Sequence, residues 1–172
     1  ERSNKNKNQN NRIINMKLIL VGKAAAGKDF LKNRLIAKNF KPGISCTTRL
    51  PRKNEVDGVD YHFMTEDQFK ETIESGEMLE FMIFNNWYYG LTKEEFEQAD
   101  VMIMSKDGLD VLPKEYRDKC MVIYLDPPRI TRIERLEYRN DVNDSIMRRM
   151  TTDDEQFKNF RDYDLRVRNE DF

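Results

Sequence analysis

The run LILVGKAAAGKDF, Leu18 to Phe30, limits what this chain can fold into more than any other stretch. An apolar segment ends at Gly22, small residues follow, and Gly27-Lys28 opens a helical pattern. Gly22-x-x-x-x-Gly27-Lys28 fills the first seven positions of a phosphate-binding loop, and both required neighbours are present, a strand before and a helix after. Glycines let backbone N–H groups converge on an anion, the helix N-terminus adds partial positive charge, and a lysine at this place reaches the outer phosphates of a nucleoside triphosphate. Gly22, Lys23, Ala24, Ala25, Ala26, Gly27, Lys28 and Asp29 are therefore the expected donor-binding segment. Asp29 stands where such loops carry a hydroxyl for Mg²⁺. Its carboxylate has two readings: a cap for the helix's first N–H groups, or a magnesium ligand, direct or through water.

The chain has 172 residues, enough for one domain with a real core. Hydrophobic residues make up 38% and charged residues 35%, and no apolar run approaches a membrane span, so a globular protein without a membrane partner is expected. Residues 1–15, rich in Asn and Lys and without periodicity, read as an expression remnant or a disordered leader. Beyond them acidic residues outnumber basic ones, which disfavours a general nucleic-acid binder. Cys46 and Cys120 make neither a metal spacing nor a disulfide framework, which points to a reducing compartment, hence the cytoplasm. With His62 as the single histidine, a His-based metal site or a Ser-His-Asp triad is disfavoured. Chemistry falls to Lys, Arg and carboxylates.

From Met16 onward short apolar runs alternate with amphipathic stretches, an α/β pattern. KLILVG predicts a buried first strand, and KDFLKNRLIAKN a helix that ends before Lys41-Pro42-Gly43. Turn-rich RLPRKNEVDGVDYHF, a helix over about 66–75 with Thr65 and Gln68 as capping box, and strand-like EMLEFMIFNNWYYG predict a small α+β insert. TKEEFEQA begins a helix with Thr92 and Glu95 as a second capping box, VMIM and CMVIYL are buried strands, and Gly108 to Tyr116 is a weak helix carrying Pro113. After Pro127-Pro128 come a helix to about Arg139, the polar break NDVND, a helix over about Ser145 to Phe160 and a last strand DLRVR. The alternation implies a mainly parallel sheet with ligands at its carboxyl ends.

SCTTRLPRKNEVDGVDYHF, Ser45 to Phe63, adds a second anion site. Arg49 and Arg52, separated by Leu50-Pro51 in a constrained turn, present two guanidinium forks to one phosphate, and Tyr61 and Tyr89 add hydroxyl donors. The stretch resembles the acceptor-site motif of the guanylate kinase family, in which a Ser, a T-T-R-x-P-R run and a D/N-G-x-D-Y sequence follow at fixed spacing. With the phosphate loop before it and EMLEFMIFNNWYYG after it, the resemblance covers nearly all of 16–171. It implies a P-loop NTPase-type parallel sheet flanked by helices, with core 16–43 and 92–172, an inserted monophosphate-binding α+β subdomain at 44–91, and a helical lid near 135–150. It implies ATP as phosphoryl donor, Mg²⁺, and GMP or dGMP as acceptor. Ser45, Arg49, Arg52, Tyr61 and Tyr89 would then grip the acceptor phosphate, and Glu80 would accept hydrogen bonds from guanine N1 and its amino group. The family's next contact, a Ser or Thr, is Leu91 here, so guanine O6 loses that donor. Cys46 is read as buried and inert, and His62 as structural.

Between Met121 and Met150 stand six arginines and no lysine: Arg129, Arg132, Arg135, Arg139, Arg148 and Arg149. Arg132, Arg135 and Arg139 share one helical face, which reads either as a solvated basic face or as a lid closing over phosphates. The family pattern R-L-x-x-R followed by I-x-x-R matches at Arg135, Arg139 and Arg149, which would reach the transferring phosphoryl group, while RVRNEDF resembles the segment that places Asn169 near adenine. The family's acidic pair, D-x-D before a glycine, is Ile103 and Ser105 here, and Asp29 is a candidate to replace part of it around the metal. The leading expectation is an ATP-dependent GMP or dGMP kinase acting as monomer or homodimer. The alternatives are a monophosphate kinase of broader base choice and a non-catalytic binding module of the same family; the intact donor loop counts against the latter.

Overall fold

The computed structural model describes residues 16–139 and 145–168. Two sheets carry the architecture. The first joins β1 (Lys17–Gly22), β6 (Val101–Ile103), β7 (Cys120–Leu125) and β8 (Leu165–Val167) in the order β6-β1-β7-β8, every pairing parallel. β1 and β7 are near-continuous apolar runs because both faces of a parallel sheet are covered. The second joins β2 (Cys46–Thr47), β3 (His62–Phe63), β4 (Met78–Phe84) and β5 (Trp87–Thr92) in the order β3-β2-β5-β4. β4 and β5 form a hairpin turned by Asn85 and Asn86, both at positive φ (50° and 63°), the backbone that two-residue hairpin turns demand.

The helices are α1 (Lys28–Ile36), α2 (Glu66–Glu74), α3 (Lys93–Gln98), α4 (Lys106–Val111), α5 (Lys114–Arg117), α6 (Arg129–Arg139) and α7 (Ile146–Gln156). Thr65 and Gln68 make the full capping box expected of α2. At α3 only half of the expected box forms. Thr92 accepts from the Glu95 amide, but the Glu95 carboxylate turns away to His62 Nε2 (2.8 Å) and the Ile44 amide (2.9 Å), tying α3 to the second sheet. His62 is thus structural. The single weak helix expected over 108–116 is instead two, α4 and α5, because Pro113 lacks an N–H and blocks helix continuation, while Ser105 caps α4 earlier by accepting from the Gly108 amide. The helix after the break ends at Gln156, four residues before its expected limit at Phe160.

The core lies where Ile19, Val21, Met102 and Val122 of the parallel sheet meet Leu91, Phe96, Leu109 and Phe157. Tyr124 stacks on Phe157 with ring centroids 5.4 Å apart and meets Phe160 edge-on at 5.1 Å, fixing the C-terminal end of α7 to β7. Among the described residues no helix is long and apolar enough to cross a membrane.

Candidate active site

The phosphate loop leaves the carboxyl end of β1, where ligands of open parallel sheets bind. Gly22 is required by close approach: a Cβ there would lie 2.6 Å from the Leu125 carbonyl oxygen. Gly27, at φ 98°, ends the loop and stands at the N-cap of α1. Lys28 folds back over the loop, its Nζ donating to the carbonyls of Gly22 (2.6 Å) and Lys23 (3.0 Å). It faces a cleft of roughly 300 Å³ that Ser45, Tyr61, Glu80 and Tyr89 also line. The two motifs, separate in sequence, therefore face one space.

Of the two readings of Asp29 offered by sequence, the helix cap does not form. The N-cap is Gly27, without a side-chain cap, and the Asp29 side chain is exposed, 3.8 Å from Lys32 Nζ. Its charge is felt across the cleft by Tyr61, whose hydroxyl is raised above the ordinary tyrosine range by burial first and by Asp29 next.

In the acceptor turn Arg49 is buried and held by Glu55 (Nη2 to Oε1, 2.8 Å), while Glu55 also accepts from the Arg52 amide (2.7 Å) and lies 3.7 Å from the Arg52 guanidinium. Arg49 also lies over the rings of Tyr61 (5.5 Å) and Phe63 (5.9 Å), which pack its flat face. Burial raises the Glu55 pKa, but its contacts with Arg49 and Arg52 outweigh this and hold it below the ordinary carboxylate range. Sequence reading missed Glu55. Its signal was the acidic residue three positions after Arg52 in an otherwise basic turn.

Glu80 is buried in β4, and burial pushes its carboxyl up to about 7, with the Leu91 amide pulling the other way. Gly108 makes room for it, since a Cβ there would meet Glu80 Oε2 at 2.5 Å. The Leu91 side chain belongs to the core, so the cleft gains no donor from it, and Thr92 Oγ1 is engaged at the α3 cap. A folded-state pKa raised above the unfolded value means the burial cost is absent below about pH 4.5 and grows as pH rises through about 7. Glu80→Gln is therefore expected to raise the thermal midpoint at pH 8, by up to about 3 kcal/mol of stability, and to leave it unchanged at pH 4. Differential scanning calorimetry at the two pH values checks this; equal shifts would refute it.

The arginine helices depart from the expected common face. Arg132 is 1% exposed, with Nε on the Ala24 carbonyl (3.1 Å) and Nη2 on Asp153 Oδ2 (3.1 Å), so it is neither solvated nor free to close over a ligand. Arg135 reaches the phosphate loop, Nη1 donating to the Ala25 carbonyl at 3.2 Å. Arg148 and Arg149 line a groove together with Arg49, Arg52, Tyr89 and Asp153, which places the acceptor arginines opposite α7. Arg139 closes α6 as expected of the backbone; its side chain, residues 140–144 and Asn169 lie outside the described residues. Ile103 and Ser105 line the main cleft where the resemblance implies carboxylates, and among the described residues no group of three metal-binding side chains converges. Asp153, which sequence reading passed over, lines both cleft and groove.

A guanylate kinase family model matches residues 15–172. The guanylate kinase of Helicobacter pylori is 36% identical over 163 residues, spanning 90% of this chain and 79% of that protein. That of Clostridioides difficile is 33% identical over 168 residues, covering 90% and 80%. The crystal structure of guanylate kinase from Anaplasma phagocytophilum superposes with a TM-score of 0.68 at 23% identity, covering 91% of this chain and 77% of that one, which supports the same fold. The phosphate loop shares one cleft with Ser45, Tyr61, Glu80 and Tyr89, and its Ala24 lines the groove that holds Arg49 and Arg52; with a match along all but its first residues the chain belongs to the guanylate kinase family.

Proposed function

We propose that this protein transfers the γ-phosphoryl group of ATP to GMP or dGMP, giving ADP and GDP or dGDP. The observation that carries the reading is one cleft lined both by Lys28 of the donor loop and by Glu80, Ser45, Tyr61 and Tyr89 of the acceptor sheet. In this reading residues 16–43 and 92–172 form the core, 44–91 the monophosphate-binding insert and 135–150 the lid. Arg49 and Arg52 hold the acceptor phosphate, and ionised Glu80 accepts the two adjacent donors of guanine. An oxygen of that phosphate forms the new P–O bond as the bond from the γ-phosphorus to the β–γ bridging oxygen of ATP breaks. The acceptor oxygen is already ionised, so no general base is required. Lys28, Arg135, Arg139 and Arg149 stabilise charge on the group in flight, with Asn169 beside the adenine.

Magnesium, when bound, neutralises donor phosphate charge. Mg²⁺ in phosphate sites keeps several waters and takes one or two carboxylates plus substrate phosphates, so a single carboxylate at the loop's rim suffices as the protein's share. Asp29, exposed at the loop's rim, is the carboxylate we assign to it, through water. Asp29→Ala is expected to raise the magnesium concentration for half-maximal rate by about tenfold, as the loss of an outer partner does. An unchanged magnesium titration sinks the assignment. The substrates are nucleotides and the protein works in the cytoplasm; the two buried, unbridged cysteines, with thiols pushed up to about 11 by burial, support a reducing setting.

ADP release from ATP, measured with a panel of nucleoside monophosphates, tests the function. Strong preference for GMP or dGMP is expected, weakening as pH falls through 7 and Glu80 takes a proton. Equal rates across the panel would favour the broader kinase, and no release with any monophosphate would favour the binding module.

A further inference from the structure

Three consecutive residues of the phosphate loop are tied to the two arginine-bearing helices. Lys23 Nζ meets Asp154 at 2.7 Å, the Ala24 amide donates to Asp153 Oδ2 at 2.8 Å, and the Ala25 carbonyl accepts from Arg135 at 3.2 Å. The middle tie is double. Arg132 donates from Nε to the Ala24 carbonyl and from Nη2 to the same Asp153 oxygen, each at 3.1 Å, so one ion pair holds both backbone polar groups of Ala24. Arg132 is 1% exposed, and its partner carboxylate is 16% exposed. A pair this buried adds little net stability over an apolar pair of equal volume, because desolvation offsets attraction, but it fixes geometry.

What it fixes is legible from α7. Asp153 lies one helical turn after Arg149 on the same face, and both line the groove opposite Arg49 and Arg52. Asp153 also lines the cleft that holds Gly22, Lys28 and Glu80. We propose that Arg132 and Asp153 are a positioning pair for phosphoryl transfer: by clamping Ala24 they set the register of α7 against the phosphate loop and so hold Arg149 over the transferred group. This inference rests on the kinase reading above.

The test separates positioning from mere stabilisation. Asp153→Ala, assayed at a temperature where circular dichroism shows it folded, is expected to lose about 30-fold in kcat while the KM for GMP stays within about twofold, since a small misplacement of a transition-state contact is costly. Asp153→Asn keeps an acceptor oxygen for the Ala24 amide and is expected to recover to within about threefold of wild type. The apolar pair Arg132→Met with Asp153→Leu is expected to regain the thermal midpoint but not kcat, and it serves if the single variant does not fold. A folded Asp153→Ala with wild-type kcat, or an apolar pair that regains wild-type kcat, overturns the proposal. If the wild type releases no ADP with any monophosphate, the kinase reading itself fails, and calorimetric ATP binding then reads the clamp. A loss of about fivefold or more in Asp153→Ala is expected there, and unchanged affinity overturns it.

Discussion

Lys28→Ala is expected to lower kcat by about 10³-fold, with GMP binding within a few-fold of wild type. The ammonium sits at the mouth of α1 with its Nζ on the Gly22 and Lys23 carbonyls, inside the same cleft as Glu80. In the proposed reaction it is a compact charge that meets the negative charge shifting along the donor phosphates during transfer. A contact that strengthens only in the transition state appears in kcat, and the acceptor arginines are untouched by the change. Because Lys28 also bonds two loop carbonyls, a thermal melt must accompany the kinetics. A folded variant with less than tenfold loss would remove Lys28 from the transfer step.

Arg49→Ala is expected to raise the KM for GMP by about 100-fold or more, with smaller change in the KM for ATP. Arg49 is buried, paired with Glu55 at 2.8 Å and packed over Tyr61 and Phe63. Its removal deletes a charged fork for the acceptor phosphate and also leaves Glu55 as an under-compensated carboxylate beside an anionic ligand. Arg49→Lys is expected to recover little, since a point ammonium cannot reproduce the planar fork that both Glu55 and a phosphate use. Steady-state kinetics with each substrate varied in turn checks the asymmetry. Equal changes in both KM values would mean that the turn acts through general loss of structure rather than through acceptor binding.

The glycine-rich loop and the arginine turn were legible in sequence because each is a short segment. Gly27 answers a demand its own turn sets, positive φ, whereas the demand at Gly22 is close approach to Leu125 on the neighbouring strand, visible in sequence only through the loop's glycine spacing. Arg49 and Arg52 are placed by the short turn that separates them. The capping of α2 by Thr65 and Gln68 was legible for the same reason. Glu95 shows where local logic fails. Its spacing from Thr92 predicts a reciprocal cap, but the half-buried His62 and the Ile44 amide from another segment compete for the carboxylate and win. Arg132 fails likewise, because helical periodicity says which residues share a face but not which face the rest of the chain covers.

The sequence by itself determined the class of fold, the glycine-rich loop and the arginine turn, and such cleft residues as Gly22, Lys28, Ser45, Tyr61, Glu80 and Tyr89, since strand and helix periods, glycine placement and paired guanidiniums are properties of short segments. Only the tertiary structure decided that Glu80 is buried enough to titrate near 7, that Glu55 pairs with Arg49, that Asp29 faces solvent, and that Arg132 and Asp153 close on Ala24. Desolvation and the pairing of charges more than a hundred residues apart, as between Lys23 and Asp154, depend on what the folded chain brings alongside, and no local pattern of residues encodes that.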